Sequence, residues 1–497
     1  MKVKYKKIPF VRLMILLWVV GLFAQPPDTL WTKAFTREWD DYGFSVQQTS
    51  DSGYIIVGQS VTFNDLLSYD IWLIKTDPDG DTLWTRVYGG ERHDAGNSVQ
   101  QTMDGGYIIA GITESFGAGA IDFYLIKTDE DGDTLWTRTY GGASTDLCKS
   151  IQQTSDSGYI MVGYSKSFGT GKFDIYLIKT KQNGDINWEK TYGGIDHDKA
   201  LEGQQTTDGG YIFVGRTESF SGSESSDVYL LKTNEEGDTI WTRTYGGDHD
   251  DCGLSVQQTA DGGYIIAGST ASYGRGRNDV YLIKTDENGD TLWTKTYGGV
   301  YDDEGYSVRQ TSDNGYIVGG RTASFGRGGS DFYFIKTDAY GDSIWTKTCG
   351  TIYQDHGYQV QQTADGGYIM VGFNNYLSGG IEDPDIYLVK LAQYPGIEDK
   401  GTSYKSFLIS RIESNPFQDK TLIQYELPNN TNVNITIYNL LGKKIKILLA
   451  EKQDAGGHSV IWNGIDDLGK SVSSGIYFLR FETGELSTTK RLIKIED

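Results

Sequence analysis

Seven aspartates each stand ten residues after a tryptophan: Asp41, Asp94, Asp146, Asp198, Asp251, Asp303 and Asp355 follow Trp31, Trp84, Trp136, Trp188, Trp241, Trp293 and Trp345. Such a carboxylate ring has two chemistries open to it. It could hold Ca²⁺, which takes about six to eight oxygen ligands, or each carboxylate could cap a turn or pair with a cation on its neighbour. No calcium-loop signature accompanies the set, so no cofactor is expected. The residues around these aspartates differ from repeat to repeat, which makes Asp40, His93, Asp196, His197, Asp248, His249, Asp250, Asp302, Glu304 and His356 the more selective ligand candidates.

A second set is aromatic. Phe63, Phe116, Phe168, Phe220, Tyr273 and Phe325 stand nine residues after a tyrosine, and Tyr376 one position earlier in the seventh unit. Ser- and Gly-rich segments such as "SFGAGA" and "SYGRGR" surround them. A ring on such a loop can stack on a sugar, dock a partner, or anchor the loop to its own sheet. A third set places a cation two residues after each tryptophan and usually an aromatic two further on, as in Trp84, Arg86 and Tyr88. Alternation puts all three on one strand face, where cation–π packing between neighbouring sheets is the expected use. Motifs for nucleophilic, zinc-dependent and nucleotide chemistry (Gly-x-Ser-x-Gly, HExxH, a Walker loop, CxxC) do not occur, and the five histidines do not fall at metal-ligand spacing. A glycosidase needs only two carboxylates, and 67 acidic residues leave room for them.

These sets recur because the chain itself recurs, seven times at 52 or 53 residues. A period in that range signals a propeller or solenoid. Each unit reads as four short strands, such as "SVQQT", "GYIIVG", "DIWLIKT" and "DTLWTRVY", with turn residues between them and no room for a helix. The second and third strands are apolar at successive positions, as expected for sheets covered on both faces. The repeat starts with a tryptophan strand, Thr29 to Phe35, and ends at "DIYLVKL", Asp385 to Leu391, with no tryptophan strand after it. The N-terminal strand is therefore expected to complete the last blade, and the fold class is an all-β, seven-bladed propeller over residues 25–391. Strand alternation puts the fourth-to-first and second-to-third connections on one side, so the aspartates and the aromatic loops share a face. Turns such as "TDPDGDT" loosely resemble the Asp-box of sialidase-type propellers; plain turn chemistry accounts for them equally.

Residues 1–24 combine a basic start (Lys2, Lys4, Lys6, Lys7, Arg12) with an apolar run from Leu13 to Ala24, the pattern of a secretory signal and too short to span a bilayer. The net charge of −22 argues against nucleic acid and anionic lipid as partners. Cys148, Cys252 and Cys349 sit at non-equivalent repeat positions and read as small core residues.

After Leu391 the pattern stops, and residues 392–411 read as a polar linker. Strand-like stretches return over 412–497, enough for an Ig-like sandwich. The segments "NPFQDKTLIQYELP", "VNITIYNLLGKKI", "AGGHSVIWNGIDDLGKSVSSGIYFLRFETG" and "TTKRLIKIE" resemble the C-terminal sorting domain, type A, of the type IX secretion system, and the similar FlgD-type Ig-like domain. Asn415, Pro416, Tyr438, Gly442, Gly475, Tyr477 and Lys490 fall on its pattern. The resemblance implies export across the outer membrane of a Gram-negative bacterium, with the export machinery as partner and release or surface attachment as outcome. The expected function is a non-catalytic binding or scaffold propeller acting on a polysaccharide or protein at the cell surface, with no membrane span in the mature chain. The alternative is an extracellular glycan-acting hydrolase.

Overall fold

The computed structural model describes residues 25–37, 39–62, 68–222, 225–378, 381–394, 408–413, 417–427, 430–439, 443–483 and 486–495. The chain divides into two compact units, Met1–Tyr394 and Pro395–Asp497. The signal segment, most of the expected linker, Phe63, Asn415, Pro416 and Gly442 lie outside the described residues, as does the side chain of Tyr376.

Among the described residues there is no helix. The first unit is a series of seven four-stranded antiparallel sheets, the repeated arrangement typical of a propeller. The first is built from Asp41–Gln48, Tyr54–Thr62, Ser68–Thr76 and Thr82–Tyr88 in that spatial order. Five more follow the same plan, starting at Asp94, Asp146, Asp198, Asp251 and Asp303. The seventh takes Asp355–Gln362, Tyr368–Ser378 and Ile381–Leu391 from the chain's end and Thr29–Phe35 from its start. In that sheet Trp31 is opposite Lys390 and Phe35 opposite Ile386.

Burial follows the composition of each strand. In Asp122–Thr128 every residue is buried, whereas Thr134–Tyr140 alternates and leaves its threonines outside. Apolar clusters form between neighbouring sheets: Ile55, Val57 and Leu73 of the first pack with Val99, Ile109 and Tyr124 of the second. The first and seventh sheets share such a cluster, Val46, Ile56 and Trp72 with Phe35, Val371 and Ile386. Gly43 allows the approach, since a Cβ there would lie 2.8 Å from both Val371 and Ile386.

The polar parts of the repeat are joints of three kinds. Outer-strand cations reach forward to an aspartate in the next sheet's last turn, as in Arg86–Asp133 (3.2 Å) and Lys295–Asp342 (2.8 Å). Arg86, Arg138 and Arg243 also lie 5.4 Å over the rings of Trp84, Trp136 and Trp241, each on its own strand, so the cation–π contact is within a sheet and the ion pair is what crosses to the next. Lys347 has no such turn ahead and instead donates to the carbonyl of Pro27 at 2.7 Å. The tryptophan ring covers the same turn: Gly132, at φ +80°, would bring a Cβ within 2.8 Å of Trp84.

The second joint is a glutamine belt on the innermost strands. Gln47 accepts from the Gln101 amide at 2.6 Å, and Gln48 from the Ala364 amide at 2.8 Å. The third lies within each sheet, where a lysine of the third strand, 2–5% exposed, is neutralised by an aspartate of the first turn. Lys284–Asp261 at 3.0 Å is representative. An ammonium that deep requires such a partner.

Among the described residues, the second unit has seven strands in two sheets, three-stranded and four-stranded, the first strand being Leu408–Glu413. Ile423, Tyr425 and Trp462 of one sheet meet Ile435, Leu479 and Phe481 of the other in one core. Trp462 donates its indole N–H to the Ile465 carbonyl at 3.0 Å, which satisfies the polar end of a buried ring. Tyr477 edges onto it, with centroids 5.1 Å apart.

Candidate binding face

The seven aspartates open the innermost strands, and all are buried. Asp94 accepts from the Gly90 amide at 2.8 Å and the Ser115 hydroxyl at 2.6 Å. Asp303 does the same with Gly299 (2.8 Å) and Ser324 (2.6 Å), and Asp146, Asp198 and Asp251 repeat the pattern. Asp41 takes the Arg37 amide at 2.7 Å, and Asp355 the Thr351 and Asn375 amides at 2.5 and 3.1 Å. Asp94, Asp146, Asp198, Asp251 and Asp303 thus tie the loop before their strand to the loop that carries the serine. All seven, expected to face a ligand, lie buried with at least one oxygen accepting from a backbone amide, while Oδ1 of Asp41, Asp94 and Asp251 has no hydrogen-bond partner among the described residues. Among the described residues no group of three or more His, Cys, Asp or Glu side chains is placed to hold a metal ion.

A second series of buried aspartates, Asp70, Asp122, Asp174, Asp227, Asp279, Asp331 and Asp385, lies in the third strands. Asp122 opens a third strand and accepts the Ala118 and Gly119 amides at 2.7 and 2.9 Å. The other oxygen of Asp122 faces Gly141, whose Cβ would lie 1.9 Å from it and 2.7 Å from Asp146. Two carboxylates, one from each of two sheets, therefore share one pocket. Burial first, and in each case a neighbouring carboxylate, pushes Asp122, Asp227, Asp331 and Asp41 up, with Asp331 and Asp41 reaching about 6.

The aromatic set behaves differently. Phe116, Phe168, Phe220, Tyr273 and Phe325 are 38–48% exposed. Each also leans on a tyrosine of its own sheet's third strand, Tyr124, Tyr176, Tyr229, Tyr281 or Tyr333, with centroids 5.1–5.8 Å apart. Tyr273 donates its hydroxyl to the Gly246 carbonyl at 2.6 Å. The rings are thus anchored and displayed at once. Tyr376 lies in a strand opposite Asp383, not in a loop like Phe116, Phe168, Phe220, Tyr273 and Phe325.

The residues that vary between repeats divide the face into unlike sectors. His356 lies among Phe373 (4.8 Å) and Tyr358 (6.4 Å), and burial followed by the Arg321 charge pushes it down to about 4. Arg321 is paired to Glu304 at 3.0 Å. His93 edges onto Tyr69 at 5.3 Å, and Tyr69 donates to Asp40 at 3.4 Å. His197 lies on Phe173 at 5.5 Å, and burial lowers it. Asp196 pairs with Lys172 (3.0 Å), Asp302 accepts from Asn278 (3.1 Å) and Asp250 from Ser226 (2.9 Å), while Asp248 and His249 are exposed. A central cavity of 240 Å³ is lined by the innermost strands, with glutamine the commonest lining residue, and holds the ion pair Arg309–Glu202 at 2.7 Å.

A family model described as a secretion system C-terminal sorting domain matches residues 414–496. Among curated proteins, the chain is 28% identical over 172 residues to the Regulatory protein FlaEY of Caulobacter vibrioides, a match covering 30% of this chain and 18% of that one. Among solved structures it is similar to PorZ of Porphyromonas gingivalis, described as an essential bacterial surface component of the type-IX secretion system, at TM-score 0.37 and 11% identity over 89% of this chain and 58% of that one. It is also similar to the Neurospora crassa Pan2 WD40 domain at TM-score 0.46 and 11% identity, over 74% and 96%. The chain thus spans less than two thirds of both FlaEY and PorZ. With its C-terminal type IX sorting domain, this is a secreted or cell-surface protein of a Gram-negative bacterium, and the domain implies an export machinery as partner. No helix among the described residues is long and apolar enough to cross a membrane.

Proposed function

We propose that residues 25–391 form a seven-bladed ring closed by Thr29–Phe35, and that this ring is a non-catalytic binding module. In this reading residues 1–24 are removed as a signal, and residues 412–497 act as an Ig-like sorting domain that delivers the ring to the cell surface. There one loop face engages a polysaccharide or a protein.

The observation that carries the reading is the set of five half-exposed rings, each held on a buried tyrosine of its own sheet. A ring held in place loses little conformational entropy on binding, and its open face suits the apolar side of a sugar. Five such rings on one rigid support favour avid recognition of a repeating ligand.

The test is a glycan array probed with the mature chain and with the triple variant Phe116→Ala, Phe168→Ala, Phe220→Ala. The variant is expected to lose at least about tenfold in apparent affinity, since each stacking contact is worth about 0.5–1.5 kcal/mol, and to keep its fold. A wild-type chain that engages no glycan and no surface protein, or a variant that binds equally well, overturns the proposal.

A further inference from the structure

Arg216 and Arg321 occupy the same place in the repeat, directly after the glycine of a second strand. Their cross-strand neighbours are opposite in charge. Arg321 faces Glu304 and pairs with it at 3.0 Å, whereas Arg216 faces Lys199. Like charges directly opposite on a sheet are destabilising. A third cation, Lys149, comes from the innermost strand of the preceding sheet, and the ammonium groups of Lys149 and Lys199 flank one ring, Tyr164, at 6.0 and 5.0 Å. Lys199 is also 5.1 Å from Phe173.

Among the described residues, none of these three cations has a carboxylate within ion-pair distance or a hydrogen-bond partner. Glu218 and Asp250 act on them only from further off, and Asp250 is already engaged by the Ser226 amide and hydroxyl, each at 2.9 Å. Burial, then the charge of Arg216, lowers Lys199, and burial lowers Lys149. All three side chains are partly exposed. In a chain of net charge −22, three cations gathered in one sector with no carboxylate at ion-pair distance are a local positive charge that an anion would balance.

We infer that Lys149, Lys199 and Arg216 form a binding site for a single oxyanion group, and that the group is the carboxylate of an acidic sugar. The site rests on the glycan-binding reading above and names the sugar class. A guanidinium offers a planar fork and the two ammonium groups add point charges, a set that suits carboxylate, phosphate or sulfate. The exposed carboxylates of Asp248 and Asp250 on the same face repel an extended polyanion, which favours one charged unit over a nucleic acid or a heavily sulfated chain.

The experiment is thermal denaturation of the mature chain, with and without glucuronate, glucose, inorganic phosphate or sulfate at constant ionic strength, followed by calorimetric titration. Wild type, Lys199→Met and the charge-matched control Lys181→Met, at an exposed turn position, are compared. Glucuronate is expected to raise the melting temperature of wild type and of the control, and glucose to leave it unchanged. Lys199→Met should melt above wild type without ligand, because a like-charge pair is gone, and bind glucuronate at least about tenfold more weakly. Protection by phosphate or sulfate without glucuronate overturns the sugar assignment. Silence of all four probes, or equal binding by Lys199→Met, overturns the site. A glycan-array signal that persists beside that silence leaves the aromatic reading standing and sinks only this one.

Discussion

Removal of residues 25–39 from a chain that begins at Gln25 would take away one strand of the seventh sheet. Phe35, 7% exposed, leaves the cluster it shares with Val46 and Ile386, and loss of a buried phenylalanine costs about 3–5 kcal/mol. Trp31 no longer meets Tyr54, 5.9 Å away, an aromatic contact worth about 0.5–1.5 kcal/mol. The Ile381–Leu391 strand becomes a bare edge, Asp41 loses the Arg37 amide, and Lys347 loses the Pro27 carbonyl. Against a total stability of about 5–15 kcal/mol these losses are decisive. A chain beginning at Asp40 is expected to be insoluble, or to melt at least about 10 °C below one beginning at Gln25.

Phe35→Ala alone should lower the midpoint of urea unfolding without changing its slope. Truncation at the other end belongs after Tyr394, which packs on the buried Trp345 at 6.1 Å, and that cut should leave the first unit's melting unchanged. An Asp40 chain melting within about 2 °C of the longer one would show that the first and seventh sheets do not hold each other, and the closed ring would fail.

The buried lysines should respond asymmetrically. Asp261→Ala strands Lys284 without its counter-charge and is expected to cost about 3–5 kcal/mol, whereas Lys284→Met leaves a half-exposed Asp261 in water and should cost far less; equal losses in urea denaturation would contradict the burial assigned to Lys284. Stability should also peak in weak acid. Asp41 and Asp331, raised by burial to about 6, hold protons more tightly folded than unfolded, so their contribution is complete below about pH 4 and is lost as pH rises through 6, up to roughly 3 kcal/mol each. Asp51, Asp104 and Asp261 act in the other direction: burial would raise them, but hydrogen bonds from lysine and threonine outweigh it, so their contribution fades as pH falls through their lowered values. A melting temperature that climbs steadily from pH 5 to 8 would refute this balance.

Much of the strand plan could be read from residue order alone. The Trp segment "DTLWTRVY" becomes Thr82–Tyr88 and "DIWLIKT" ends the strand Ser68–Thr76, because turn residues and β-formers separate cleanly in every unit. Two things escaped. The lysine of "LIKT" looks like a solvated strand end, and only the fold shows Lys127 at 3% exposure beside Asp104. The cation sector escaped because Lys149, Lys199 and Arg216 stand inside strands, outside the variable loop positions that distinguish one unit from the next in the repeat. Lys199 and Arg216 carry information as departures from it, and their juxtaposition depends on strand register, with a bulge between Ala200 and Glu202, which no spacing rule supplies.

The joints between sheets are nearly the same everywhere: a cation meets an aspartate, a tryptophan covers a glycine, and a glutamine meets an amide. Parts that fit any neighbour carry no address, so a folding chain could skip one unit and still find good contacts. The Glu202–Arg309 pair is a counterweight to that danger. It joins the fourth sheet to the sixth across the cavity, with Ser255 of the fifth also accepting from Arg309 at 3.1 Å. The pair forms only when one complete sheet stands between its members, so it checks the count of sheets on that side of the cavity, a task the repeated joints are too alike to perform.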